Sequence, residues 1–198
     1  MTKQMILSVG REFGSGGHEI AEKLANHYGI PLYDRELIAK VAEHGMISPS
    51  LVATYDEKPT SMFFYSIPGD GSNLSMEQQI AFRTFRYLQM QAQRESFVVV
   101  GRCANDLLKQ HHALFSVFVR GDLEAKKRRV MERYNLNEKD ALLRMKRMDR
   151  VRRNYHNFYC EGKWGDSREY DLCLNSSKLG VDGSVAVIVQ AADQYFGR

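Results

Sequence analysis

The stretch Ile6-Leu7-Ser8-Val9-Gly10-Arg11-Glu12-Phe13-Gly14-Ser15-Gly16-Gly17-His18-Glu19-Ile20-Ala21 decides the fold. It opens on a short apolar run suited to a buried strand and passes through a glycine-rich turn. It ends where apolar residues recur at helical spacing, at Ile20, Ala21, Leu24, Ala25 and Tyr28, with Gly29 as a stop. Gly14, Gly16 and Gly17 have no side chain and Ser15 a small one. An anion can therefore approach the backbone N–H groups at a helix N-terminus, where the helix dipole favours negative charge. The usual phosphate-loop spacing, G-x-x-x-x-G-K-[ST], adds a lysine on the outer phosphates and a hydroxyl on magnesium. Here Gly10 to Gly16 encloses five residues, and Gly17 stands at the lysine position, with His18 and Glu19 following. The cradle is recognisable and its usual cation is missing. A strand-to-helix connection with glycines for close packing gives the same run, so context has to decide.

The chain of 198 residues suits one domain and can bury a substantial core. Its 43% hydrophobic and 26% charged content is ordinary for a globular protein. No apolar stretch is long enough to cross a bilayer, and Met1-Thr2-Lys3-Gln4 does not open a secretory signal. Cys103, Cys160 and Cys173 form no C-x-x-C pair, which argues for packing residues and a cytoplasmic setting over a disulfide framework or a zinc site. The net charge of +4 is uneven: residues 120–153 hold thirteen Lys/Arg against six Asp/Glu. Such a block fits a solvated helix face, a basic lid over a nucleotide, or a surface for nucleic-acid phosphates. The absence of interleaved aromatics between Arg120 and Arg133 weighs against single-strand stacking.

Strand and helix patterns alternate along the chain, which predicts a parallel sheet covered on both faces. Ile30 to Asp34 reads as a short strand and 35–44 as a helix. Ser48-Pro49 reads as a cap and first-turn pair, and 59–75 as a mobile loop. Ser75-Met76-Glu77-Gln78 reads as a capping box for a helix to about Arg94. Strands follow at Phe97 to Gly101, Leu114 to Val119 and Tyr170 to Leu174, with helices capped by Asp122 and Asn137 and a closing amphipathic helix over Val185 to Phe196. In an open sheet of this kind ligands bind beyond the carboxyl ends of the strands. The informative polar residues fall there: the glycine loop, Asp34-Arg35, Arg102, Arg120 with Asp122, and Asn175-Ser176-Ser177.

On these residues the chain resembles the nucleoside-monophosphate kinases of the P-loop class, and most closely the cytidylate-kinase-like family, over nearly its full length. The resemblance rests on Gly10 to Gly17, Tyr33-Asp34-Arg35-Glu36-Leu37, Val100-Gly101-Arg102, Asp149-Arg150-Val151-Arg152 and Leu174-Asn175-Ser176-Ser177. Trp164-Gly165-Asp166 with Tyr170-Asp171-Leu172 adds to it. It implies a three-layer α/β P-loop kinase fold with a five-stranded parallel sheet in the order 2-3-1-4-5. Within a single domain over 1–198 it implies an acceptor-side insert at 45–75 and a helical lid region at about 137–168. It also implies ATP with Mg2+ on the loop residues Arg11, Gly14, Ser15, Gly16, Gly17, His18 and Glu19, and no metal ligand is assigned on the protein itself.

Phosphoryl transfer needs in-line positioning and cations where charge develops. By resemblance, Arg150, Arg152 and Arg153 of the lid stretch supply such cations. Arg102 matches an arginine that holds the acceptor's phosphate in true cytidylate kinases, and Asp34 an aspartate near that site. Arg35 and Arg83 are further candidates on the substrate side. The bland alternative for each is a surface ion pair, or a helix cap for Asp34. The departures are as informative. True cytidylate kinases have Asp-Gly-Arg-Asp where this chain has Val100-Gly101-Arg102-Cys103, and Gly17 replaces the lysine, leaving Arg11 and His18 as the nearest substitutes.

The first expectation is therefore ATP-dependent phosphoryl transfer to a small molecule, a nucleoside monophosphate among the candidates. A nucleotide-binding regulatory module without transfer is the second, and Gly17→Lys is then expected to create activity. Nucleic-acid binding by the basic block ranks third.

Overall fold

The computed structural model of the protein describes residues 4–34, 41 and 75–198. The helix expected at 35–44 (Val41 apart), Ser48-Pro49, the 59–75 loop up to residue 74, nearly all of the 45–75 insert, and Arg35 lie outside the described residues.

Five strands form one parallel sheet: β1 (Ile6–Arg11), β2 (Leu32–Tyr33), β3 (Phe97–Val100), β4 (Leu114–Arg120) and β5 (Leu172–Asn175). Their spatial order is β2-β3-β1-β4-β5, the order that the resemblance implies. β1 sits at the centre because it is apolar on both faces, as strands buried from both sides must be. Leu7 and Val9 point into one core with Val98, Val100, Val117 and Val119. Ile6 points into the other with Phe97 and Val99. That alternation makes three layers.

One outer layer is α1 (Gly17–Tyr28) with α6 (Ser176–Phe196), which bury Ile20, Leu24, Ile188 and Phe196 on the sheet. The other includes α2 (Met76–Ala92) and α3 (Ala104–Leu107), with Ile80, Tyr87, Leu88 and Leu108 underneath. α2 opens on the expected capping box, in which the Ser75 hydroxyl accepts from the Gln78 amide and the Gln78 side chain accepts from the Ser75 amide.

α4 (Leu123–Tyr134) and α5 (Glu138–Tyr159) lie across the carboxyl end of the sheet. α5 is a single helix of 22 residues whose Asn137 cap accepts from the Asp140 amide. Its first half packs Ala141 and Met145 on Val130 of α4 and on Phe13 of the glycine loop. Its second half brings Tyr155, Tyr159 and Cys160 against Phe85 and Cys103. The polypeptide expected to form a lid is thus α5 and the turn behind it.

Four local features differ from the expected elements. α3 was not visible in the sequence, because four residues are too few for a helical period. β5 runs from Leu172, because Tyr170 turns away to pack on Phe118 and Asp171 binds the Ser116 amide and hydroxyl. Asp122 occupies the N-cap position of α4 without capping it; its carboxylate turns to the Asn175 amide and the Lys178 ammonium. The closing helix also starts earlier, at Ser176, and breaks at Gly180, whose φ of 69° is left-handed.

Candidate active site at the strand ends

The glycine loop is a built structure. The Ser15 hydroxyl donates to the Glu12 carbonyl, and the Ser15 carbonyl accepts from the Ser176 hydroxyl of α6. The Glu12 carboxylate accepts from the Gly121 amide at 3.0 Å and from the buried Lys126 ammonium at 2.8 Å. Gly14 and Gly16 take φ of 83° and 79°, the left-handed region that glycine enters without strain. A Cβ at Gly14 would strike Val130 and the Lys126 carbonyl. These contacts leave the amides of Gly16, Gly17, His18 and Glu19 without an acceptor among the described residues, aimed out of the helix mouth. That arrangement of orphan donors suits a polyphosphate.

Arg11 explains the missing lysine. A Cβ on Gly17 would lie 2.5 Å from the Arg11 Cβ, so the arginine stem fills the space a residue-17 side chain would enter. The guanidinium then runs across to the end of β3, where a Cβ on Gly101 would collide with its Nη1. Gly101, Arg102 and Cys103 follow with φ of 73°, 58° and 58°, three left-handed residues in a row. Non-glycine residues held there cost about 1 kcal/mol or more each, and such strain clusters at functional sites.

Arg11 and Arg102 line a cavity of about 130 Å3 with Arg152 of α5. Its other walls are Asn105 and Cys103, Tyr155 and His156, and Trp164 and Tyr170. Arg152 Nη1 donates to the Arg11 carbonyl at 3.2 Å and stands 3.8 Å from Asp149. Asp149 in turn accepts from the Phe13 amide at 2.6 Å. α5 therefore grips the glycine loop at two points. Burial, then Arg152 and Arg102, work against the Arg11 charge, with Asp34 and Asp149 opposing them. Among the described residues no carboxylate comes within ion-pair distance of Arg11. Burial likewise disfavours the Arg152 charge and raises the Asp149 carboxyl. Three guanidinium groups lining one cavity fit an anionic ligand.

The remaining candidates divide. Asp34 Oδ2 lies 2.7 Å from His18 Nε2, joining the end of β2 to the first turn of α1. Glu19 pairs with Arg129 of α4 at 3.2 Å. Arg150 and Arg153 are exposed; Arg153 lies over the Trp164 ring and Arg150 does not line the cavity. Arg83 is exposed on α2.

Arg129, Asn105 and His156 join the site without any motif in the sequence that marks them. A Cβ on Gly16 would meet Arg129 Nη1 at 2.5 Å, which sets that guanidinium against the helix mouth. His156 is buried at 5% exposure, its Nε2 beside the Asn105 amide and its Nδ1 without a hydrogen-bond partner among the described residues. Of the Trp164-Gly165-Asp166 signature, Trp164 walls the cavity. Asp166 caps a short turn through Arg168.

The family model for the "Cytidylate kinase-like family" matches residues 6–178. None of the curated proteins matches the chain. Among solved structures, an uncharacterized protein from Eubacterium ventriosum is 42% identical, with a TM-score of 0.77, covering 96% of this chain and 99% of that one. A shikimate kinase from Bacteroides thetaiotaomicron is 11% identical, with a TM-score of 0.56, covering 96% and 98%. A gluconokinase from Sinorhizobium meliloti is 16% identical, with a TM-score of 0.50, covering 100% and 93%. The last two are alike in fold alone.

Proposed function

The chain belongs to the cytidylate kinase-like family, and from that premise we propose that it transfers the γ-phosphoryl group of ATP to a small anionic acceptor. One observation carries the reading: Arg11, Arg102 and Arg152 meet around a cavity at the carboxyl ends of β1 and β3, beside an open helix mouth. The helix amides hold the outer phosphates of the nucleotide, and Arg129 stands ready at Gly16. Arg102 and Arg152 hold the anionic group of the acceptor. Arg11, its stem against Gly17 and its guanidinium at Gly101, takes over the charge the lysine would bring to the transferring group.

The donor set fits a metal that arrives with the nucleotide. His18 stands where the usual loop has a metal-binding hydroxyl, and among the described residues no three His, Cys, Asp or Glu side chains are grouped for a metal. Magnesium on the phosphates would neutralise their charge. α5 acts as the lid, and Asp149 and Arg152 couple it to the loop.

The test is ADP release across a panel of nucleoside monophosphates, phosphorylated sugars and hydroxy acids. Turnover with one class supports the reading. Calorimetric nucleotide binding with no turnover on any acceptor replaces it with the regulatory-module reading. The nucleic-acid reading is weakened by the ion pairs inside the basic block, where Lys126, Lys127 and Arg129 already face Glu12, Glu124, Glu138 and Glu19.

A further inference from the structure

The cations of residues 120–153 fall into two groups. On α4, Lys126, Lys127 and Arg129 are already matched by Glu12, Glu124, Glu138 and Glu19. On the outer side of α5 there is no such match. Residues 141–159 hold six Lys/Arg and a single acid, Asp149, which turns inward to the Phe13 amide. Lys146, Arg147 and Arg150 are exposed and form no ion pair among the described residues. Arg144 and Arg153 flank them, also exposed, and lie over the Tyr134 and Trp164 rings, contacts that leave their charge in place. Residues three and four apart share a face of a helix, so Lys146 and Arg147 both stand beside Arg150, and like charges at that spacing weaken a helix. A polyanion supplies the counter-charge that this face lacks. None of the five side chains lines the cavity, which α5 serves through Arg152.

We propose that the outer face of α5 binds the phosphate backbone of a nucleic-acid duplex without reading its sequence. This is a second surface, separate from the cavity, and it does not rest on the kinase reading. From Arg144 to Arg153 the helix advances about 13 Å, at 1.5 Å per residue. A duplex carries one charge per about 1.7 Å of its axis, so about eight phosphates lie within that length. Asn154 is exposed four residues after Arg150 and adds an amide, a group that also donates to phosphate oxygens. No aromatic residue falls between Arg144 and Asn154, so unpaired bases would have nothing to stack on, and a backbone contact is what the face offers. A helix lying in a membrane surface needs an apolar face beside its cations. That of α5 is buried against the glycine loop and α2. An acidic protein partner calls for an apolar centre to the patch, whereas exposed Leu143 and Phe158 stand only beyond its two ends.

The test uses the full-length protein and a short fluorescein-labelled duplex of arbitrary sequence, followed by anisotropy from about 50 to 300 mM salt. The expected Kd is micromolar at the low end, with log K falling linearly against log salt at a slope of about −3 to −4.5. The triple variant Lys146→Gln/Arg147→Gln/Arg150→Gln should bind about 100-fold more weakly at about 100 mM salt. Its slope should be shallower by about 2.7, three contacts at about 0.9 each. Its thermal unfolding midpoint should stay at or above that of the wild type, which separates lost binding from lost folding. Lys127→Gln on α4 and Arg152→Ala at the cavity should each leave duplex affinity within about twofold, since neither side chain is on the binding face. No binding at about 50 mM salt, a slope near zero, or equal affinity in wild type and the triple variant overturns the proposal. So does tighter binding of polyglutamate, or of mixed phosphatidylserine–phosphatidylcholine vesicles, than of the duplex, since either gives the face to another partner. All of these outcomes leave ADP release, and the kinase reading with it, untouched.

Discussion

The Arg11 Cβ stands 2.5 Å from the place where a side chain on Gly17 would begin. Absence of the lysine and presence of the arginine are thus one feature, since the stem of one excludes the other. This reverses the expectation that Gly17→Lys would create activity. The near end of the Arg11 side chain cannot swing aside as a flexible tip could, so the substitution strains the first turn of α1. Gly17→Lys should cost about 1–3 kcal/mol, as overpacked sites do, without tightening ATP binding. Urea denaturation and calorimetry on Gly17→Ala and Gly17→Lys check this. A Gly17→Lys variant with wild-type stability and tighter ATP binding would contradict the reading of Arg11.

The arginines of α5 should separate sharply on substitution. Arg150 and Arg152 lie two residues apart, about 200° around a helix, and cannot share a face. Arg152 reaches the Arg11 carbonyl and the cavity, whereas Arg150 faces solvent. Arg152→Ala and Arg102→Ala each remove a charge-assisted contact worth about 1.5–3 kcal/mol, so acceptor kcat/KM should fall about 10- to 100-fold. Arg150→Ala should stay within about twofold, as exposed charges do. Steady-state kinetics on the three variants decide the matter, and equal losses in all three would refute the assignment.

Asp149 ties α5 to the loop through the Phe13 amide at 2.6 Å, across 136 residues of sequence. Asp149→Ala leaves that part-buried amide without its acceptor and takes away the carboxylate 3.8 Å from Arg152. A loss of about 1–3 kcal/mol is expected, with faster hydrogen exchange at Phe13 and Gly14. Asp149→Asn keeps an acceptor and should lose less. Exchange rates unchanged in Asp149→Ala would show that α5 stays on the loop for other reasons.

What the sequence disclosed follows from how local each signal is. The glycine run, the capping box at Ser75 and the apolar runs at Ile6, Phe97 and Leu114 are set by neighbours within a few residues, so the strands and the loop position could be anticipated, whereas the strand order came from the family resemblance alone. Helical geometry alone also pairs Asp149 with Arg152 on one face and Arg150 with Arg153 on another, although only the packing of α5 shows which face is inward. Arg129 was hidden among thirteen cations of one block, and only its position against Gly16 distinguishes it. Asn105 and His156 come together from α3 and α5, 51 residues apart, and neither carries a local pattern that announces the contact. Arg11 was legible as a spare cation next to the loop. Its turn toward Gly101 was not, because that glycine lies on another strand far along the chain.

Acid should act on the junction between α4 and α6 through Asp122. Asn175, and then Lys178, hold its carboxyl below the ordinary carboxylate value. A carboxyl lowered in the folded state binds its proton more weakly there than in the unfolded chain. It therefore adds stability above its unfolded value, about 3.9, and that share is lost as pH falls through the folded value. Asp122→Asn keeps an oxygen for the Asn175 amide and removes only the charge. The stability gap between wild type and Asp122→Asn should be present at about pH 6 and close by about pH 2.5, read from denaturation midpoints across that range. Because the group is at the surface, added salt should narrow the gap at pH 6 as well. A gap of constant size from pH 6 to pH 2.5 would mean that the Asp122 charge does not hold the two helices together.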